Sequence, residues 1–194
     1  MKLDSNIIAI AGNARTGKDT LGNNFVKILN EQGIKAKTFS FANELKESVN
    51  RFVIDQTGIS AFTENKEEKN LIRPFLVCWG TDVMRKINNN IWIEKLSGNL
   101  LGDHVNIITD LRFANELKWI KETNGLSLLI KRDGINPANP YEEEQNKILE
   151  DEVDSVFHMA NLDDENVMML TANEILNSMI TKDIYQKWKA TCHS

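Results

Sequence analysis

Residues Ile7–Phe25 read IIAIAGNARTGKDTLGNNF, and this stretch constrains the fold more than any other. Five apolar residues, Ile7 to Ala11, run into Gly12, the pattern of a buried strand entering a turn. After Gly17, the residues Leu21, Phe25, Ile28 and Leu29 recur at helical spacing, and Gly33 closes that helix. Strand, glycine turn and helix in that order make GNARTGKDT, Gly12 to Thr20, a phosphate-binding loop. Its backbone N–H groups (Gly12, Asn13, Ala14, Arg15, Thr16, Gly17) can turn inward, and the helix N-terminus adds a positive end. Lys18 supplies a point charge for β- and γ-phosphates.

The loop departs from the usual pattern at Asp19, where Ser or Thr normally follows the lysine. The usual hydroxyl ligates Mg²⁺, a hard cation that also accepts carboxylate oxygen. Either Asp19 holds the metal, directly or through water, or Thr20 supplies the hydroxyl one position later. A second acid is expected at the far wall of the site. VNIITDLRFANE ends an apolar strand, Val105 to Thr109, at Asp110, and doubly wound sheets hold ligands at strand ends. Asp110 suits a water-mediated metal contact or proton acceptance, unless it only caps a helix. Arg112 suits a bidentate phosphate clamp or, more plainly, a salt bridge with Glu116.

The remaining pattern alternates strands and helices. A second strand is expected over Ala36 to Phe41 and a helix over Ala42 to Phe52, with Lys46 on its first turn. Asp55 to Lys69 reads as a mobile connection, and Leu71 to Ile87 and Ile91 to Leu96 as helices. Phe113 to Glu122 is a helix with Phe113, Leu117 and Ile120 on one side, followed by a strand at Leu126 to Ile130. Residues 132–160 carry many acids and read as a solvated helix with loops or as a lid over a nucleotide. Asn166 to Leu170 is expected as a last strand, before a C-terminal helix through Ile175, Met179 and Ile184. The expected fold is α/β, a mostly parallel sheet flanked by helices. At 194 residues it forms one domain, 1–194.

Composition narrows the partners. The formal net charge of -5 argues against a nucleic-acid surface, and basic stripes with interleaved aromatics are absent from the sequence. Cys78 and Cys192 match no metal or redox spacing and read as reduced thiols, and His104, His158 and His193 show no ligand pairing. No run approaches the ~18 apolar residues that span a bilayer, so a cytoplasmic protein without a membrane partner is expected. Arg73 and Arg85 flank apolar LIRPFLVCWGTDVMR and call for anionic partners, an acid or a ligand phosphate. Trp79 reads as core or as a base-stacking platform.

In order along the chain, GNARTGKDT, FANELKE, RPFLVCWGTDVMRKINNNIWIEKL and TDLRFANE resemble the deoxynucleoside monophosphate kinases of bacteriophages, within the P-loop kinase superfamily. The likeness includes the lysine–aspartate–threonine end of the loop and spans about residues 7–132. It implies an adenylate-kinase-like three-layer sandwich and transfer of the γ-phosphoryl group of ATP to a deoxynucleoside monophosphate, with Mg²⁺. It puts an acceptor region at about 42–98, with Lys46, Arg73, Trp79, Asp82, Arg85, Arg112 and Glu116 toward the acceptor. Lys18, Asp110, Arg112 and Arg132 are then the catalytic set, Arg132 with the lid at about 132–160. Such kinases are often homodimers. Two other functions share the loop: a kinase for another small acceptor such as a coenzyme precursor, and a binding module gated by nucleotide.

Overall fold

Ile7–Ala11 carries only apolar side chains, and all five residues are buried, so both faces of this strand must be covered. In the computed structural model, which describes residues 6–137, 140–159 and 165–179, it is β1, the centre of a five-stranded sheet. The other strands are β2 (Ala36–Phe39), β3 (Val105–Leu111), β4 (Leu126–Arg132) and β5 (Ser155–Met159). Their order is β2-β3-β1-β4-β5 and every pairing is parallel. Ile8 of β1 stands beside Ile107 of β3 and Leu126 of β4.

Alternation along the strands sends side chains to two separate layers. Ile8, Ile10, Ile107, Leu128 and Ile130 meet Leu21, Phe25, Ile28 and Leu29 of helix α1 (Lys18–Glu31). Met168, Ala172, Ile175 and Leu176 complete that layer. They belong to the last described helix, Glu165–Met179. On the opposite face a helix over Ala114–Glu122 buries Leu117 and Ile120, and a Cβ built on Gly125 would touch both Ile120 and Ile7.

The chain divides into two compact units, residues 1–39 with 100–194 and residues 40–99. The first holds the sheet. The second spans much the same residues as the expected acceptor region and is wholly helical: α2 (Phe41–Thr57), α3 (Lys66–Val77), a wide π-type turn over Cys78–Met84, α4 (Arg85–Ile87) and α5 (Ile91–Asn99). Val49, Val53 and Ile72 form its small core, with Ile59, Leu76 and Trp79 against it. Continuing in chain order, the helices of the first unit are α6 (Ala114–Glu122), α7 (Pro140–Glu152) and α8 (Glu165–Met179).

Several expectations are corrected. Asn166 to Leu170 is helix, because Met168, Ala172, Ile175 and Leu176 bury at helical spacing against α1, and a short apolar run alone cannot distinguish the two states. The fifth strand is instead Ser155–Met159, inside the stretch read as solvated helix and loops or as a lid. Asp154 anchors it by accepting hydrogen bonds from the N–H and the hydroxyl of Ser127, both 2.7 Å. The connection expected over Asp55 to Lys69 is shorter, residues 58–65: α2 runs on to Thr57 and Asn65 caps α3, accepting from the N–H groups of Glu67 and Glu68. Lys46 falls on the second turn of α2, since that helix begins at Phe41. Leu71 to Ile87 is α-helix only at its ends, with the π-type turn between. The expected continuation of the last helix to Ile184, together with Cys192 and His193, lies outside the described residues. No helix among the described residues is long and apolar enough to cross a membrane.

The approach of α1 to the sheet is set by Gly22, where an added Cβ would come 2.5 Å from Cγ2 of Thr109. Gly22→Ala gains up to about 1 kcal/mol of helix propensity but overpacks this contact at about 1–3 kcal/mol. It therefore destabilises the protein in urea unfolding. Gly98→Ala, in open space on α5, is expected to stabilise it by about 0.5 kcal/mol. Equal midpoints for the two variants would refute the close contact.

Candidate active site

The loop between β1 and α1 owes its shape to local chemistry. Gly12 has φ 146°, and a Cβ there would lie 2.6 Å from the carbonyl oxygen of Ile130 on β4. Gly17 caps α1 from the left-handed region, at φ 92°. Arg15 takes the same region at φ 68° without glycine's freedom, a cost of about 1–2 kcal/mol that the surrounding bonds must offset. Those bonds come from within the loop. Thr16, nearly fully buried, donates its hydroxyl to the carbonyl of Asn13 at 2.9 Å. Lys18 folds back and donates from Nζ to the carbonyls of Gly12, 2.8 Å, and Asn13, 2.6 Å.

That posture buries Lys18 to 8% exposure. Burial, then the guanidinium of Arg112, lower the pKa of its ammonium to about 8, while Asp19, Glu142 and Asp110 oppose the shift. Ala14 is half-buried, and Arg15, Asp19 and Thr20 are exposed.

Asp19 is tied to the sheet. Thr109, near the end of β3, donates its hydroxyl to Oδ1 of Asp19 at 2.7 Å. β1 sends the chain outward to β2 whereas β3 sends it across to β4, so these two adjacent strands form the point where the winding reverses. Crevices at such points hold ligands in open α/β sheets. Asp110 follows Thr109 on β3, and Arg112 lies just beyond the strand with Nη1 4.0 Å from Oε1 of Glu142 on α7. Arg132 closes β4. Glu116 is buried and accepts from the backbone N–H groups of Arg112, 2.9 Å, and Phe113, 3.1 Å. It thus shapes the turn that carries Arg112.

Asp19, Thr20 and Asp110 are hard oxygen donors, a set suited to Mg²⁺. Among the described residues no three of His, Cys, Asp and Glu form a metal cage.

The second unit holds the other expected residues. Lys46 is half-buried with Nζ 5.5 Å from the ring centroid of Phe62. Arg73 is exposed on α3. Trp79 packs against the small core and donates to Oγ of Ser48 at 3.2 Å. Asp82 is exposed on the π-type turn, and Arg85 follows it with Nη1 3.4 Å from the carbonyl of Asn89. Trp92, 2% exposed, donates from Nε1 to the carbonyl of Gly80 at 3.1 Å, and Leu45 fills the space a Cβ on Gly80 would need. Wide turns of this kind recur at functional sites.

Sequence reasoning missed Thr109, Glu142 and Asn146, whose Nδ2 donates to Oδ1 of Asn13. Thr109 had a signal, a hydroxyl at the end of an otherwise apolar strand. The others owe their contacts to tertiary packing.

Comparison with known proteins adds the class of fold. No protein-family model and no curated protein matches the chain. Among solved structures it is similar to shikimate kinase from Bacteroides thetaiotaomicron, with 13% identity, a TM-score of 0.51, and 90% of this chain and 98% of that one covered. A second shikimate kinase, from Aquifex aeolicus, matches with 17% identity and a TM-score of 0.46 over 89% and 96% of the two chains. That likeness is one of fold, a parallel α/β sheet flanked by helices of the adenylate-kinase-like kind.

Lys18 gives a pH prediction. Unfolded, it holds its proton up to about 10.5; folded, only up to about 8. Between these values the unfolded chain binds more protons, so this residue makes stability rise with pH. Lys18→Met should therefore flatten the rise in stability between pH 8 and 10, in urea unfolding across pH. An unchanged slope would show that Lys18 is not buried as described.

Proposed function

We propose that the chain is an ATP-dependent phosphotransferase whose acceptor is a deoxynucleoside monophosphate. The observation that carries the reading is the loop itself. A lysine is buried on the carbonyls of a glycine turn, at a helix N-terminus, beside a strand-end acid and an arginine. A P-loop kinase fold supports phosphoryl transfer in general. The choice of acceptor is supported by the ordered motifs FANELKE, RPFLVCWGTDVMRKINNNIWIEKL and TDLRFANE and by the cations Lys46, Arg73 and Arg85 in them.

In this reading the acceptor's phosphate oxygen attacks Pγ of ATP. The bond from Pγ to the bridging oxygen breaks, and ADP leaves with the electron pair. The attacking oxygen is already anionic, so no strong base is required. Lys18 neutralises charge on the β- and γ-phosphates, and Arg112 neutralises charge spread over the transferred group. Asp19, held by Thr109, and Asp110, with Thr20 as the alternative hydroxyl, are the residues that would hold Mg²⁺. When bound, the cation would supply charge neutralisation at the donor phosphates. Arg73, Arg85, Asp82, Trp79 and Glu116 are assigned to holding the acceptor or the turns that present it, and Arg132 to the phosphates. Helix α7, Pro140–Glu152, within the expected lid at about 132–160, is assigned as the cover that excludes water. A cytoplasmic enzyme acting alone or as a homodimer on free nucleotides accords with this scheme.

The test is ADP release from Mg²⁺-ATP with each deoxynucleoside and ribonucleoside monophosphate in turn, and with shikimate as a hydroxyl acceptor. Release above the acceptor-free control is expected with at least one deoxynucleoside monophosphate. Response to none of them defeats the proposal, and response to shikimate alone replaces the acceptor. Arg112→Ala should lower kcat about 10²-fold, the scale for losing one charge-stabilising group. Asp19→Asn should raise the Mg²⁺ concentration needed for half-maximal rate.

A further inference from the structure

The first turn of α7 presents its acids unequally. Glu143 is 54% exposed and pairs along the helix with Lys147 at 3.1 Å, whereas Glu142 is only 15% exposed and lies toward Arg112. Glu142 also acts on the buried Lys18, together with Asp19 and Asp110. The helix carrying Glu142 is tied to the loop itself. Asn146 donates from Nδ2 to Oδ1 of Asn13, and Asn13 donates from Nδ2 to the carbonyl of Ile135 at 3.2 Å.

Charge makes this arrangement consequential. Two cations, Lys18 and Arg112, face three carboxylates, Asp19, Asp110 and Glu142. A phosphate chain entering this group competes with Glu142 for Arg112 and Lys18. Asp19 is held by Thr109 and Asp110 belongs to β3, both parts of the sheet framework. Glu142 sits on the first turn of α7, outside the strands and α1, so its side chain is the one of the three that can turn away without moving a strand or α1.

We infer that Glu142 is an internal competitor for the phosphate site. In the ligand-free protein its carboxylate partners the cations that a nucleotide phosphate takes over, so binding must displace it and loosen α7 from Asn13. The inference rests on reading the loop as a nucleotide site and adds the residue that limits affinity there.

The experiment is calorimetric titration of the full chain with Mg²⁺-ADP, comparing the unaltered protein with Glu142→Gln, Glu143→Gln and Asn146→Ala. Glu142→Gln is expected to bind roughly three- to tenfold more tightly, the range of a partly exposed ion pair. Glu143→Gln should stay within about twofold, because its charge is solvated and already paired along the helix. The gain should shrink as salt rises, since the competition is between charges. Equal or weaker binding by Glu142→Gln overturns the inference, as does an equal gain from Glu143→Gln. If Glu142→Gln does not fold, Asn146→Ala decides: tighter binding supports the competitor, and unchanged or weaker binding refutes it. If no form binds ADP, both this inference and the nucleotide reading fall; binding without the difference removes this inference alone.

Discussion

Two hydrogen bonds from the Lys18 ammonium to the carbonyls of Gly12 and Asn13 close the loop on itself, and much of the site depends on them. They draw the ammonium out of water, which is why its proton is held less firmly than in a free lysine. They keep the residues between Gly12 and Gly17 in left-handed and turn conformations that would otherwise cost backbone strain. The loop is therefore ordered by its own contacts, so under the proposed function a nucleotide need not bear the cost of ordering it.

A second tie places that cradle against the sheet. Gly22 lets α1 approach β3 closely, and the Thr109 hydroxyl then reaches Asp19 on the helix's first turn. An aspartate in the position usual for a hydroxyl is thus not a loose surface acid. It is oriented by its own strand partner, and the helix N-terminus favours its charge. The helical unit, residues 40–99, uses a different device. Its wide turn at Cys78–Met84 is packed by Leu45 and accepts a hydrogen bond from the buried Trp92, so exposed Asp82 stands on a supported backbone.

How much of this was legible depended on whether the signal was local. IIAIA followed by a glycine turn and a periodic helix announced β1, the loop and α1, because burial on both faces and helical spacing are written in neighbouring residues. NVMML misled for the opposite reason: five residues cannot show whether their burial repeats at two or at 3.6, and only α1 beneath them makes the segment a helix. Ser155–Met159 was hidden because an edge strand with alternate exposed residues gives a weak pattern. Glu116 was legible as a charged neighbour of Arg112, but its actual partners, two backbone N–H groups, follow from a turn no pattern specifies.

The amino-acid order by itself determined the phosphate loop, the strand that feeds it, the acid at the end of β3 and the alternating α/β pattern, since each rests on contacts between residues close in the chain. Only the tertiary structure decided what each acid does: Asp19 held by Thr109, Glu116 spent on a turn, Glu142 brought from α7 toward Lys18 and Arg112. The reason is electrostatic. A carboxylate's role follows from the charges and donors within a few ångströms of it, and those neighbours are assembled by folding from segments far apart in the sequence.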